Sequence, residues 1–263
     1  PKDNKKKFFF NKDLSNKNIL DKFDKVDVVI NLASITDAEG SVKIRNKIYK
    51  NNLGIFNNIV NYCIKKKVKL IHISSTSIYG EQKGTVNELC KNLKPKSPYA
   101  EIKLLEENIL KKNSKKLKYI TYRFGTIAGI SKGMRFHTAV NRFSLEASLN
   151  NPLPIWKKMM YKPKPYLSLK DAFKVIKFTI EKNFFHNDIF NILSENLTLY
   201  QIISFFKKNN KKIKIEYRNS KLINQFAYTI SNKKFSKKAF KLKSKIKDDI
   251  KDTLKLLGNY NEM

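Results

Sequence analysis

The sequence is poor in glycine, proline and cysteine, and each shortage excludes a class of protein. Eight glycines and seven prolines in 263 residues exclude collagen-like and low-complexity chains. The two cysteines, Cys63 and Cys90, form neither a disulfide framework nor a zinc-binding spacing, which favours a reducing compartment and predicts a cytoplasmic location. No apolar run approaches the roughly 20 residues that span a bilayer, and no signal-type segment opens the sequence. We therefore expect no membrane partner.

Acidic residues are scarce relative to basic ones. Lysine and arginine number 55 and aspartate and glutamate 22, so the net charge is +33, which invites a nucleic-acid partner. Only five of the cations are arginine, the residue preferred for recognising phosphates and bases, and the lysines are scattered along the chain. We therefore favour a solvated surface over a nucleic-acid groove, and we expect the charge to favour small anionic ligands. Hydrophobic residues at 41% provide for a sizeable buried core.

The first half of the sequence alternates between strand and helix patterns. Short β-branched apolar runs predict buried strands, and apolar residues at helical spacing predict helices. The predicted strands are Asp27–Ala33, Val68–Ser74 and Leu117–Phe124, and the predicted helices are Val42–Lys65 and Pro98–Leu110. Elements in this order form βαβ units, which indicates an α/β fold with a parallel sheet covered by helices.

The pattern changes after Gly129. Four prolines between 152 and 165 make that segment too broken for a long element. The further predicted helices are Val140–Leu149, Leu169–Lys182, Thr198–Lys208 and Ile246–Leu257, and the further predicted strands are Asp188–Leu193 and Lys212–Tyr217. The second half is therefore predicted to be a smaller α+β lobe attached to the sheet of the first half.

Two groups of residues carry candidate chemistry. The run Ser74–Gly80 (SSTSIYG) directly follows a predicted strand, and open α/β sheets bind ligands at the carboxyl ends of their strands. Tyr99 and Lys103 lie four residues apart near the start of a predicted helix, which places them on one helix face, one turn apart. A phenol titrates near ~10, and a nearby ammonium lowers its pKa. If a hydroxyl such as that of Ser75 holds the substrate oxygen, these groups form a proton-transfer device for an alcohol/ketone couple.

The strength of this prediction comes from combining the two groups. A tyrosine and a lysine four residues apart occur in many helices by chance, and an isolated pair favours a surface contact. Here the serine cluster lies at a strand end, with Ser75 24 residues upstream of Tyr99. The combination favours the catalytic interpretation.

With these motifs the sequence resembles the extended short-chain dehydrogenases/reductases, the NAD-dependent epimerase/dehydratase group acting on nucleotide sugars. The matching segments are VDVVINLAS (26–34), NNLG (51–54), SSTSIYG (74–80), SPYAEIK (97–103), RFGTIAG (123–129) and KPYLSLKDA (164–172). The resemblance implies a Rossmann-like, doubly wound parallel sheet with a smaller C-terminal α+β lobe. It implies a partial NAD(P)-binding domain at 1–130 and a substrate-binding lobe at 131–263, of which 168–193 returns to the Rossmann sheet.

The resemblance also implies a role for each matching residue. Tyr99 takes the proton of a sugar hydroxyl, Lys103 lowers the pKa of Tyr99 and binds the nicotinamide ribose, and Ser75 hydrogen-bonds the reacting oxygen. The implied cofactor is NAD, with NADP left open, and the implied assembly is a homodimer that binds a nucleotide-sugar substrate. The implied cofactor-binding residues are Asp13, Leu14, Leu32, Ala33, Asn51, Ser74, Tyr99 and Lys103. The implied substrate-binding residues are Ser75, Thr76, Thr126, Arg135, His137, Asn141 and Lys164.

Departures from the family pattern narrow the chemistry. Sugar dehydratases carry an acid/base pair immediately after the catalytic Ser/Thr, where this sequence has Thr76 and Ser77, so epimerisation or simple reduction is favoured over elimination. Thr126 replaces a common asparagine and Lys164 a common arginine, which leaves the contacts to a diphosphate open. We therefore predict an NAD(P)-dependent, nucleotide-sugar epimerase-like enzyme. The alternatives are an NADP-dependent ketone or aldehyde reductase of the same superfamily and a non-catalytic nucleotide- or nucleic-acid-binding module.

A glycine-rich turn typical of the family is missing from the sequence. No such glycines precede Gly40, and the segment Phe8–Ser15 resembles the family's third strand. We therefore interpret the chain as N-terminally incomplete, without the strand that distinguishes NAD from NADP, and expect it to hold a dinucleotide weakly. His72 lies in a predicted buried strand and is interpreted as a core residue, and we predict no metal site.

Overall fold

The computed structural model describes residues 9–16, 19–23, 26–36, 42, 44–209, 213–218 and 228–258. Among these residues the strands are β1 (Val28–Asn31), β2 (Lys69–Ser75), β3 (Thr85–Val86), β4 (Tyr119–Phe124), β5 (Thr126–Ala128), β6 (Leu153–Trp156), β7 (Lys164–Ser168), β8 (Asp188–Ile192), β9 (Glu195–Leu197), β10 (Ile215–Arg218) and β11 (Thr229–Ile230). The α-helices are α1 (Arg45–Lys66), α2 (Pro98–Lys112), α3 (Ala139–Ser148), α4 (Leu169–Glu181), α5 (Leu199–Asn209), α6 (Lys233–Lys238) and α7 (Ile246–Gly258).

A parallel sheet with the strand order β1-β2-β4-β8 forms the centre of the fold. Side chains of a strand alternate between its two faces, and neighbouring residues of β2 pack accordingly. Leu70 joins the apolar cluster that holds α1 and α2, whereas Ile71 joins the cluster that holds α4. Helices therefore cover both faces of a parallel sheet, and the predicted doubly wound α/β class is confirmed.

Helix α2 begins where the sequence predicts it. The Ser97 hydroxyl accepts a hydrogen bond from the backbone N–H of Ala100 at 3.2 Å, which satisfies one of the free donors at a helix start. Pro98 occupies the first turn, where its missing N–H removes no helical hydrogen bond. This cap fixes the first turn of α2, which carries Tyr99 and leads to Lys103.

The residues after β5 build a second apolar core. Helices α3, α5 and α7 pack around β6 and β7, with Phe143, Phe206 and Ile250 buried among them. Strands β5, β7 and β9 form a mixed sheet, and β6 pairs with β10 in parallel. After α4 the chain returns to the central sheet, where β8 pairs with β4. The smaller α+β lobe therefore lies beside the central sheet.

Three segments differ from the prediction. The segment 9–13, within the expected third strand Phe8–Ser15, has no regular structure and is followed by a turn; residue 8 lies outside the described residues. The proline-marked segment 152–165 contains β6 and the start of β7, since Pro154 lies in a strand whose ladder partner among the described residues is β10 alone. The strand expected at Lys212–Tyr217 is observed at Ile215–Arg218, and residue 212 lies outside the described residues. No helix of the described residues has the length and apolar character that crossing a membrane requires.

Candidate active site

A cavity of about 760 Å³ opens at the carboxyl ends of β1, β2 and β4. The smaller lobe closes its other side with residues that precede α3 and residues around β6 and β7. This is the edge at which open parallel sheets bind ligands, because the strand ends there leave backbone groups and loop side chains free of the sheet. The position agrees with the site predicted from the serine-rich run after β2.

Ser75 is the last residue of β2 and the N-cap of a 3-10 turn that follows it. Its Oγ accepts a hydrogen bond from the backbone N–H of Ser77 at 3.1 Å and lies 2.9 Å from the Ser77 Oγ. The change from extended strand to tight turn at this residue turns the hydroxyl toward the cavity, which Ser75 lines. The Ser75 hydroxyl is thus held at a fixed position at the sheet edge.

Tyr99 comes from α2 and meets Ser75 in the cavity. Both residues line the cavity, and the Ser75 side chain lies close enough to the Tyr99 hydroxyl to lower the pKa of the phenol. Burial raises the pKa of Tyr99 above its usual value, and the Lys103 ammonium and the Ser75 side chain lower it only in part. Lys103 therefore acts in the direction that the family resemblance implies, but burial outweighs it and Tyr99 is protonated at neutral pH in the ligand-free protein.

Lys103 lies one helical turn after Tyr99 on the same face of α2. Its Nζ is 5.8 Å from the centre of the Tyr99 ring and 2.8 Å from Oε2 of Glu106. Burial alone lowers the pKa of Lys103, but Glu106, Tyr99 and Glu107 together outweigh it, so the net pKa is raised. The lysine therefore carries a positive charge beside the phenol at neutral pH.

A buried polar network supports the end of β2. Glu107 on α2 accepts hydrogen bonds from the Ser74 hydroxyl at 2.6 Å and from two nitrogens of Arg123 at 2.9 and 2.6 Å. Arg123 on β4 donates a further hydrogen bond to the Tyr79 hydroxyl at 2.7 Å. Because Ser74 precedes Ser75, this network fixes the backbone that carries the candidate catalytic hydroxyl.

The cavity wall carries positive charge. The cations that line it are Lys96, Lys103, Arg135, Arg142, Lys162 and Lys164, and no aspartate or glutamate among the described residues lines it. Burial lowers the pKa of Lys164 to about 8, so this group responds to a nearby anion, which favours its charged form. The wall is therefore suited to an anionic ligand.

All seven residues predicted to bind substrate line the cavity. Besides Ser75, whose partner Ser77 is given above, Asn141 and Thr76 make hydrogen bonds within the protein. The Asn141 amide donates to the Arg135 carbonyl oxygen at 3.1 Å, and its oxygen accepts from the Gly129 N–H at 3.4 Å. The Thr76 hydroxyl donates to the Phe124 carbonyl oxygen at 3.2 Å. The side chains of Asn141 and Thr76 therefore also help to hold the loops around the cavity in place.

The residues predicted to bind cofactor divide into two groups. Leu32, Ser74, Tyr99 and Lys103 line the cavity, whereas Asp13, Leu14, Ala33 and Asn51 do not. The Asp13 carboxylate accepts a hydrogen bond from the Ser15 N–H at 2.8 Å, and the side chain of Leu14 packs against the cluster of α1. The Asn51 amide donates to Oδ1 of Asn52 at 3.1 Å. The structure thus brings four of the eight together.

Sequence reasoning missed several residues of the wall. Arg142, Trp156, Lys162 and Tyr228 line the cavity and were not predicted to do so. The sequence gives a weak indication of Arg142, because arginine is rare in this chain and the neighbouring Asn141 was already predicted to bind substrate. Trp156, Lys162 and Tyr228 lie in segments without helical or strand periodicity, so their proximity to the site required the structure.

Solved structures of low sequence identity share this fold. UDP-N-acetylglucosamine 4-epimerase from Methanobrevibacter ruminantium, solved with UDP-N-acetylmuramic acid, superimposes with a TM-score of 0.84 at 19% identity, over 97% of this chain and 83% of that chain. A UDP-glucuronic acid 4-epimerase variant from Bacillus cereus, solved with a fluorinated UDP-glucuronic acid and NAD, gives 0.86 at 22% identity, over 96% and 82%. The Thermus thermophilus UDP-glucose 4-epimerase in complex with NAD gives 0.81 at 21% identity, over 95% and 84%.

The sequence matches a protein family but no individual curated protein. A search of curated proteins finds no significant match to this sequence. The chain does match the NAD dependent epimerase/dehydratase family over residues 1–192. This match covers more than half of the 263 residues and includes the strand end of Ser75 and the helix of Tyr99 and Lys103. The chain therefore belongs to the NAD dependent epimerase/dehydratase family.

Proposed function

We propose that the protein is a nucleotide-sugar epimerase-like enzyme that oxidises a sugar hydroxyl transiently with NAD. One observation carries the proposal: Ser75, Tyr99 and Lys103 line the same cavity, with the Ser75 side chain and the Lys103 ammonium both close enough to Tyr99 to lower the pKa of the phenol. A phenol, an amine and a hydroxyl drawn from two elements match what proton transfer at an alcohol requires.

The three groups have separate tasks in the proposed reaction. The Ser75 hydroxyl holds the sugar oxygen within reach of Tyr99. Tyr99 accepts the proton of that hydroxyl as the carbon is oxidised and returns it when the ketone is reduced. Lys103 favours the ionised form of Tyr99, because a cation close to a phenol stabilises the phenolate. Water leaving the cavity on substrate binding strengthens this interaction.

The cavity wall fits one end of a dinucleotide. Leu32 follows β1 and is 68% exposed at the cavity, which offers an apolar surface to a flat ring. Ser74 and Lys103 line the same cavity, and the Lys103 ammonium would donate hydrogen bonds to hydroxyl groups of the ligand. When bound, NAD supplies the acceptor and donor of hydride. We propose NAD as the cofactor, and NADP is left open.

The wall also favours epimerisation over elimination. Loss of a sugar hydroxyl as water needs a general acid that protonates the leaving oxygen. The two positions after Ser75 are occupied by Thr76 and Ser77, and no carboxylic acid among the described residues lines the cavity. An epimerase needs only the removal and return of hydride and proton at one carbon, which the groups present support.

The positive wall supports a substrate that carries phosphate. Arg135 lies close enough to Tyr99 to lower the pKa of the phenol, and Lys162 and Lys164, at the start of β7, line the side of the cavity that the smaller lobe closes. A sugar placed at Tyr99 would leave its nucleotide diphosphate among these cations. Several similar structures were solved with UDP-sugars, which supports the same class of substrate.

Ligand-detected NMR with UDP- and GDP-sugars, with and without NAD, tests the proposal. We expect binding of at least one nucleotide sugar, and conversion to its epimer in the presence of NAD. The Tyr99→Phe variant should retain binding and lose at least about 100-fold in turnover, because it loses the group that exchanges the proton. Tyr161→Phe is the matched control, since Tyr161 is 74% exposed and should leave turnover unchanged.

Two outcomes contradict the proposal. Full turnover by Tyr99→Phe would remove the assigned role of the phenol. Binding of no nucleotide sugar, together with reduction of simple ketones or aldehydes, would favour the reductase of the same superfamily.

A further inference from the structure

One buried charge next to the site is not used by the proposed reaction. Glu106 follows Lys103 by three residues on α2, its side chain is 1% exposed, and its Oε2 lies 2.8 Å from the Lys103 Nζ. The sequence motif pairs Lys103 with Tyr99 alone, so the ion pair with Glu106 is a feature that only the structure reveals.

The surroundings of Glu106 leave Lys103 as its partner. From β2, His72 places Nε2 at 3.5 Å from the same oxygen. Burial and the Lys103 charge hold the pKa of His72 well below its ordinary value, so His72 is neutral. Glu107, the neighbouring carboxylate on α2, is engaged by Arg123 and Ser74. Among the described residues, Lys103 is therefore the cation that pairs with Glu106.

The Lys103 ammonium is shared between two groups. On one side it lies 5.8 Å from the centre of the Tyr99 ring, and on the other it lies 2.8 Å from the Glu106 carboxylate. A negative charge at the shorter distance offsets the field that the ammonium exerts on the phenol. The charge of Glu106 accordingly makes Tyr99 harder to ionise, whereas Lys103 makes it easier.

We propose that Glu106 is a positioning residue, which holds the Lys103 ammonium inside the protein and offsets part of its charge at Tyr99. This inference rests on the proposed function, because it assigns Glu106 a role toward the same phenol. Glu106 touches neither substrate nor cofactor in this role and acts through Lys103. In the ligand-free protein its charge adds to the effect of burial, which is the main reason that the pKa of Tyr99 is raised.

The Glu106→Gln variant isolates the charge, because glutamine keeps the size and one acceptor oxygen of the side chain. We expect Tyr99 to lose its proton at a pH lower by about 0.5 to 1 unit, a three- to tenfold change in its ionisation constant. In a Lys103→Met background the same substitution should have less than a third of this effect, because a buried carboxyl without its cation takes up a proton and loses its charge.

A ¹⁹F NMR titration of the full chain labelled with 3,5-difluorotyrosine measures the ionisation of Tyr99 directly. Fluorination lowers the intrinsic pKa of the phenol, which brings the titration into the range where the protein is folded. The Tyr99 signal is assigned by its loss in Tyr99→Phe. The measurement needs neither cofactor nor substrate, so its outcome does not depend on whether the protein turns over nucleotide sugars.

Glu101→Gln is the matched control for this titration. Glu101 lies on the same helix but pairs with Arg45 at the surface, so its substitution should leave the Tyr99 midpoint in place. Circular dichroism establishes which variant is folded. If Glu106→Gln does not fold, Glu106→Met, which fills the same space without charge, repeats the test. A Tyr99 midpoint that stays or rises in the folded variant overturns the proposal.

A second measurement separates positioning from a merely structural role. With a nucleotide sugar and NAD, the pH at which kcat/KM reaches half of its maximum should fall in Glu106→Gln, while the KM for the sugar stays the same. An unchanged pH profile with a lower kcat would assign Glu106 a structural role only. Absence of any turnover in the wild type would contradict the proposed function, while the NMR result would still decide the role of Glu106.

Discussion

The buried ion pair between Arg123 and Glu107 permits a quantitative test of how the sheet supports the site. Their side chains are 4% and 3% exposed, and the guanidinium makes two hydrogen bonds to the carboxylate, at 2.9 and 2.6 Å. In Arg123→Met the Glu107 carboxylate stays buried and keeps the Ser74 hydrogen bond, but it has lost its cation. Removing one member of such a pair costs about 3 to 5 kcal/mol, because the remaining charge has lost both water and partner.

This cost corresponds to a large change in thermal stability. For a domain of this size each kcal/mol lowers Tm by about 2 to 4 °C, so we expect Arg123→Met to lower Tm by about 6 to 20 °C. Urea unfolding followed by circular dichroism gives the free energy directly. The double variant Arg123→Met/Glu107→Leu should recover most of the loss, since it removes both charges and leaves apolar side chains in their place.

A surface pair provides the control. Lys177 and Glu181 form an ion pair on α4 with both side chains about half exposed, so Lys177→Met should cost less than about 1 kcal/mol. A loss below about 1 kcal/mol in Arg123→Met, or a double variant less stable than the single one, would refute the reasoning. Either result would mean that water reaches Glu107 at the end of β2.

Three further predictions concern other positions. Burial lowers the pKa of Lys164 to about 8, so the affinity for a nucleotide diphosphate should fall as the pH rises through this value. Isothermal titration calorimetry of Lys164→Met should show weaker binding that does not change with pH in this range. Burial raises the pKa of Asp249 to about 6 from 3.8, so the folded state binds this proton more tightly than the unfolded state, and its contribution to stability is lost as pH rises from about 4 to about 6. The free energy of unfolding of Asp249→Asn, measured with urea, should therefore rise relative to that of the wild type between pH 4 and pH 7. A difference that stays constant over this range would contradict the prediction. Gly80 has a φ of +61°, and an added Cβ would lie 1.9 Å from the Lys94 carbonyl oxygen, so Gly80→Ala should lose more than about 2 kcal/mol, whereas Gly84→Ala, with open space around it, should lose less.

The parts of the fold that the sequence predicts are those in which local pattern and tertiary contacts agree. β2 and β4 are short apolar runs buried on both faces, and α2 has its serine cap and proline at the expected positions. Ser75 and Tyr99 could be brought together in advance, because a strand end and the first turn of the following helix adjoin in a βαβ unit.

Other features depend on contacts that no local pattern reveals. β7 carries Pro165 and was not predicted as a strand, yet it pairs with β5 and β9 on either side. The sequence does not predict the ion pair between Glu106 and Lys103, because a buried glutamate in a helix cannot be told from an exposed one by its position in the sequence. The wall positions Trp156, at the end of β6, and Lys162, between β6 and β7, depend on how the smaller lobe packs.

The uniform sign of charge around the cavity has a kinetic consequence. A phosphorylated ligand approaching the protein is drawn inward by many lysines at once, and salt screens this attraction. In the proposed reaction, however, substrate and product are epimers of the same charge, so the field that speeds the arrival of one isomer equally delays the departure of the other. We expect added salt to slow turnover at low substrate concentration and to accelerate it at saturation, where the release of product limits the rate.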